Sequence, residues 1–125
     1  MKQLLLTALS LCLLQGCGKG AGMNADLAQA GPALRTALEA WKGGSSQQDL
    51  ASREPSILMN EDDWRMGKRL IDYKMEEAGA MYGRQVVWRV QIKLQGKGGK
   101  PEDRRAKYVV DTTPRLVIVR DRFAR

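Results

Sequence analysis

Histidine is absent from this chain of 125 residues. That removes the most common general base, the usual partner of an activated nucleophile and the most common metal ligand. Cysteine occurs twice, as Cys12 and Cys17, and phenylalanine once. A multi-disulfide framework of the kind that staples small secreted domains is therefore excluded. A long apolar run is also missing. The longest, Leu4–Leu14, falls short of the roughly 20 residues that a membrane-spanning helix needs. No two acidic residues are nominated by spacing as a general acid and base pair. The sequence contains no catalytic constellation, and a non-enzymatic role is expected.

The first sixteen residues are ordered in three zones: Lys2, the apolar run Leu4–Leu14, and Gln15-Gly16. That order is the pattern of a secretory signal peptide, and the run has no polar face of the kind a core helix would carry. It ends in Leu14-Gln15-Gly16-Cys17, which resembles the lipobox of bacterial lipoproteins. The resemblance implies cleavage between Gly16 and Cys17, diacylglyceryl attachment to the Cys17 sulfur and acylation, typically with palmitate, of the new amine. Several acyl chains hold a protein on a membrane stably where one holds marginally. Residues 1–16 are thus expected to be the leader, 17–23 a lipidated tether and 24–125 a single domain in the cell envelope. The anchor would sit in the outer membrane or on the periplasmic face of the inner membrane. Gly18, rather than aspartate, after the modified cysteine points to the outer membrane.

Charge divides unevenly along the chain. Residues 17–83 carry 8 Lys and Arg against 10 Asp and Glu, whereas residues 84–125 carry 12 against 4, a net of +8. The candidate contact residues are Arg89, Lys93, Lys97, Lys100, Arg104, Arg105 and Lys107, on one predicted hairpin. For an exported protein the matching partner is anionic lipid, an anionic envelope polymer or an envelope protein. Nucleic acid is not expected, since no aromatic residue interleaves with these cations. The competing account is a solvated face that keeps the chain soluble and its sheet edges from pairing.

Periodicity predicts the architecture. Leu34, Ala37, Leu38 and Trp41 recur at helical spacing after Pro32, read as a first helical residue, and Gly43-Gly44 ends the helix. Asn24 is read as capping an earlier turn through Ala25–Ala30, with Gly31-Pro32 making a break or kink. Ser46 caps a short second helix. Four alternating runs follow, Leu70–Glu76, Gln85–Gln95, Ala106–Asp111 and Leu116–Arg120, separated by glycine and proline turns. In the first of them Ile71, Tyr73 and Met75 are assigned to one face. Ile57–Met59 reads as a brief strand.

The predicted fold class is α+β: one main N-terminal helix and a short helix packed on a four-stranded antiparallel meander. This order of elements resembles the cystatin-like and NTF2-like arrangements, and because such cavities host hydrolases and isomerases in other families, the resemblance leaves a small enzyme of that kind as the alternative to a binding or structural module. The stretches Leu38–Lys42, Asp63-Trp64 and Val117–Asp121 also resemble small lipoproteins of planctomycete-type bacteria, which implies no particular activity. A cystatin-type inhibitory loop Gln-x-Val-x-Gly is not present, because Gln85-Val86-Val87-Trp88-Arg89 lacks the glycine. Asn60-Glu61-Asp62-Asp63 is the densest acidic stretch, yet it lacks the spaced ligands and turn glycine of a calcium loop, so a capping or solvated loop is expected and neither metal nor cofactor. Trp41 and Trp88 are read as packing together under the sheet. Trp64 is read as a core plug, with the mouth of a groove as the alternative.

Overall fold

The computed structural model describes residues 21–96 and 98–121, and the side chains from residue 27 onward. The chain order is α1 (Ala21–Lys42), α2 (Gln47–Ala51), β1 (Ile57–Asn60), α3 (Asp62–Arg65), β2 (Arg69–Met75), β3 (Ala80–Tyr82), β4 (Gln85–Gln95), β5 (Glu102–Asp111) and β6 (Leu116–Arg120). The expected lipidation and cleavage positions, Gly16 and Cys17, lie outside the described residues, as does Lys97.

Ala30, Ala33, Leu34, Ala37, Leu38 and Trp41 give α1 one apolar stripe, and every one of them is buried. The helix ends in a Schellman turn. Gly44 takes φ +93°, the Gly44 N–H donates to Trp41 C=O at 3.0 Å, and the Ser45 N–H reaches back to Ala40 C=O at 2.9 Å. Of the expected break or kink at Gly31-Pro32, the break does not occur: α1 is one helix with Pro32 inside it, and Asn24 lies within it rather than capping a separate turn. The reason lies in the neighbour. A Cβ at position 31 would come within 2.9 Å of Trp88 Cη2, so the glycine lets the helix backbone press against the indole. Packing against the sheet offsets the single hydrogen bond that proline forgoes.

The sheet differs from the expected four-stranded antiparallel meander. It is mixed and has six strands in the order β1-β6-β5-β4-β2, with β3 also pairing β4. The predicted antiparallel neighbours β2–β4, β4–β5 and β5–β6 are present. The added edge is β1, which lies parallel to β6 in the register Ile57↔Leu116 to Asn60↔Val119. Parallel pairing needs a long crossover, and here α3 and the rest of the sheet supply it. One face of the sheet is buried under α1: Val86, Trp88, Val90, Ile92 and Leu94 of β4, Ala106, Tyr108 and Val110 of β5, and Ile118 of β6.

Two local irregularities shift residues from their expected faces. Strand β2 has a bulge between Leu70 and Asp72, so Leu70 (paired with Leu94) shares the buried face with Tyr73 and Met75, and Ile71 is the extra residue. The edge of β4 is then passed from β2 to β3 through residues 76–79. A Cβ on Gly79 would lie 2.8 Å from both Trp88 Cζ3 and Val86 Cγ1. Only glycine lets this crossing lie flat on the indole, whose Nε1–H donates to Glu76 C=O at 2.9 Å. Trp88 is therefore held between Gly31 and Gly79 and does not pack on Trp41. Trp41 instead stacks on Trp64, with ring centroids 5.4 Å apart and planes inclined by 8°. Trp64 is buried, as a core plug.

Candidate functional site

Two clusters of chemistry-bearing side chains emerge from the fold, one under the sheet and one on its open face. The first was not legible in the sequence. The register places Arg120 of β6 beside Tyr108 of β5, on the buried face. The turn after β1 brings Glu61 and Asp63 beneath them. Glu61 is wholly buried and forms the N-cap of α3, accepting the Asp63 N–H at 2.9 Å. It also accepts from Arg120 Nη1 at 3.0 Å and from the Tyr108 hydroxyl. Asp63 accepts from Arg120, from Arg104 Nη1 at 3.2 Å and from Lys68 Nζ at 3.4 Å. The Glu61 N–H donates to Gln47 Oε1 at 2.9 Å, tying α2 to the same cluster.

Electrostatics follow from this geometry. Burial pushes the Asp63 carboxyl up, but Arg120, Arg104 and Lys68 together outweigh it and hold the group below its usual value. Burial and then the Glu61 charge raise the Tyr108 phenol well above its ordinary range. For Arg120, burial acts against the charged form, yet Glu61 and Asp63 more than reverse it and raise its affinity for the proton. Each of the four carboxylate oxygens faces a donor of this chain. The pair therefore clamps α3 to the sheet and offers no free acid for catalysis. Among the described residues, no group of acidic side chains is arranged to hold a metal ion.

The second cluster lies on the face of the sheet that no described helix covers. Cross-strand pairing arranges the outward side chains in rows. Asp72, Lys93 and Asp103 form one row, Lys74, Gln91 and Arg105 the next, and Glu76, Arg89, Lys107 and Asp121 a third. Beyond it lie Val87, Val109 and Val119, and then Gln85, Asp111, Val117 and Leu58. A depression of about 390 Å³ runs over the two basic rows, lined by Lys74, Glu76, Arg89, Gln91, Arg105 and Lys107 among others. Among the described residues, Lys74, Arg89, Arg105 and Lys107 have no ion-pair partner. Arg89 sits directly opposite Lys107, a like-charge juxtaposition that costs stability.

The expected basic residues thus divide. Arg89, Arg105 and Lys107 come together. Lys93 lies between Asp72 and Asp103, which balance its charge within the row. Arg104 has the opposite parity: it pairs in register with buried Ile92 and is bound to Asp63 and to Glu102, the latter at 3.1 Å. Lys100 is exposed in the turn between β4 and β5. Lys74 was missed, because only the pairing Lys74↔Gln91 brings β2 alongside the hairpin. Its outward parity within Leu70–Glu76 was the available signal.

No described helix is long and apolar enough to cross a membrane. Comparison with known proteins finds no matching family model, no matching curated protein and no matching solved structure, so the cystatin-like resemblance drawn from element order has no structural counterpart.

Proposed function

We propose that this chain is a lipid-anchored cell-envelope protein that works by binding rather than by catalysis, and that its open sheet face is the binding surface for an anionic partner. The observation that carries the reading is the band Lys74, Arg89, Arg105 and Lys107, which form no ion pair among the described residues and line one depression. A like-charged pair across neighbouring strands is a cost that an external anion would reverse. The anchoring part rests on the order Lys2, Leu4–Leu14, Gly16, Cys17.

The test compares two double variants with equal change in net charge on an immobilised polyphosphate column. Arg89→Glu/Lys107→Glu alters the band, and Lys100→Glu/Arg115→Glu alters exposed turns elsewhere. Elution of the first at clearly lower salt than the second is expected. Equal shifts would mean that net charge alone drives retention, and the proposed surface would be refuted.

A further inference from the structure

The open face is segregated along the strands. Its acidic row, Asp72 and Asp103 around Lys93, lies toward the end where β4 finishes. The two rows that hold Lys74, Arg105, Arg89 and Lys107 occupy the middle, with Glu76 and Asp121 at the margins of the second. Toward the end where β4 begins come Val87, Val109 and Val119 and then Gln85, Asp111, Val117 and Leu58, rows in which Val119 is 39% and Leu58 36% exposed and Asp111 is hydrogen-bonded by Gln85. At that same end Tyr82, paired with Gln85, is 64% exposed at the tip of the β3–β4 hairpin. Cations next to uncovered aliphatics and an exposed tyrosine match a phospholipid surface. Phosphates take the cations, and the apolar side chains and the amphipathic ring settle at the headgroup boundary. A soluble polyanion would satisfy the basic rows but leave the aliphatic rows wet.

The direction of α1 supplies an independent observation. Gly31 lies against Trp88. Farther along, Glu39 accepts the Tyr73 hydroxyl at 2.6 Å beside Ile92, and Lys42 pairs with Asp72 at 3.5 Å beside Lys93. The helix therefore runs the same way as β4. The ten helical residues from Ala21 to Ala30 extend about 15 Å before Gly31. The β4 residues before Trp88 extend roughly 10 Å. The start of α1 and the hairpin tip accordingly lie at the same end of the molecule. A chain from Cys17 to Ala21 spans at most about 14 Å, so an anchor at Cys17 holds this end close to the bilayer.

Resting on the anchored-binding reading, we infer that the open sheet face docks on the anionic phospholipid surface of the membrane that holds the anchor. It docks tilted, with the Tyr82 tip and aliphatic rows down, the basic band on the phosphates and the acidic row raised. The tether keeps the local concentration of lipid high, so four modest charge contacts are enough to set the orientation.

The test uses the full lipidated chain reconstituted into vesicles and a water-soluble amine-reactive reagent, with each lysine read by peptide mass spectrometry. In vesicles of phosphatidylglycerol and phosphatidylcholine, Lys74 and Lys107 are expected to label about tenfold more slowly than in phosphatidylcholine alone. The difference disappears at about 1 M salt, where the Debye length is roughly 3 Å. Lys42 and Lys100 label equally in both, which also reports that the fold is intact. Arg89→Glu abolishes the protection. Equal labelling of Lys74 and Lys107 in the two lipids would overturn the proposal. So would protection in phosphatidylcholine vesicles that appears only on adding polyphosphate, which would assign the face to a soluble polymer. Protection that rises with protein density in phosphatidylcholine would assign it to a second copy of this chain and also overturn it. Acyl groups on Cys17 are read from the same sample, so failure of the anchor and failure of the docking face are separate results.

Discussion

Replacing Arg120 with methionine tests the clamp beneath the sheet. The Arg120 guanidinium is shared by Glu61 and Asp63. Without it Asp63 keeps Arg104 and Lys68, but Glu61, wholly buried, keeps only the neutral donors Tyr108 and the Asp63 N–H. Leaving a buried charge without its partner costs about 3–5 kcal/mol, against a total stability of about 5–15 kcal/mol for a domain of this size. At a urea slope of about 1–3 kcal/mol per molar, a loss of about 4 kcal/mol moves the unfolding midpoint by roughly 1.3–4 M. The assay is urea unfolding of residues 21–125 followed by tryptophan emission, since Trp64 lies in α3 and stacks on Trp41. The double variant Glu61→Gln/Arg120→Met removes both charges and keeps an acceptor for Tyr108. It is expected to be more stable than Arg120→Met alone, with a coupling of about 0.5–3 kcal/mol. A midpoint for Arg120→Met within about 0.5 M of the parent, or strict additivity in the double variant, would refute the clamp.

Four further outcomes are expected. Tyr108→Phe leaves one Glu61 oxygen without its donor and costs about 1.5–3 kcal/mol, read by the same urea assay. Gly79→Ala drives a methyl into Trp88 and Val86 and costs about 1–3 kcal/mol, seen as a drop in Tm of several degrees. Asp63 has a lowered pKa in the folded chain, so its contribution is complete above its ordinary value of 3.8 and is lost as pH falls through and below that value. Asp63→Asn should therefore lose stability relative to the parent at neutral pH, with the gap narrowing below about pH 4 in parallel melts. Tyr73, half-buried and donating to Glu39, is pushed up to about 12. Absorbance titration of Tyr73→Phe should lack that late phenolate step.

The helix α1 and the alternating strands were legible because each buries one side, and burial imprints its period on the sequence. The Leu34–Trp41 stripe and the Val86–Leu94 alternation are the clearest cases. Topology was less legible. The β1–β6 pairing joins Ile57–Asn60 to Leu116–Arg120 across more than fifty intervening residues, and four residues carry no record of so distant a neighbour. Ile71 was misassigned because a bulge inserts one residue without any change in composition. The buried cluster was hidden for a similar reason. Glu61 and Asp63 read as surface acids until Tyr108 and Arg120 arrive from other strands to satisfy them. For the open face, parity alone separated Arg89, Arg105 and Lys107 from Arg104, but the balancing of Lys93 and the recruitment of Lys74 required the register of β2.

Intact-mass measurement of the chain purified from bacterial membranes tests the anchoring on which the proposed function stands. The account predicts a polypeptide that begins at Cys17 and carries acyl groups there, and a Cys17→Ser form that keeps residues 1–16. A membrane-derived chain that retains its leader with a free thiol at Cys17 would contradict it.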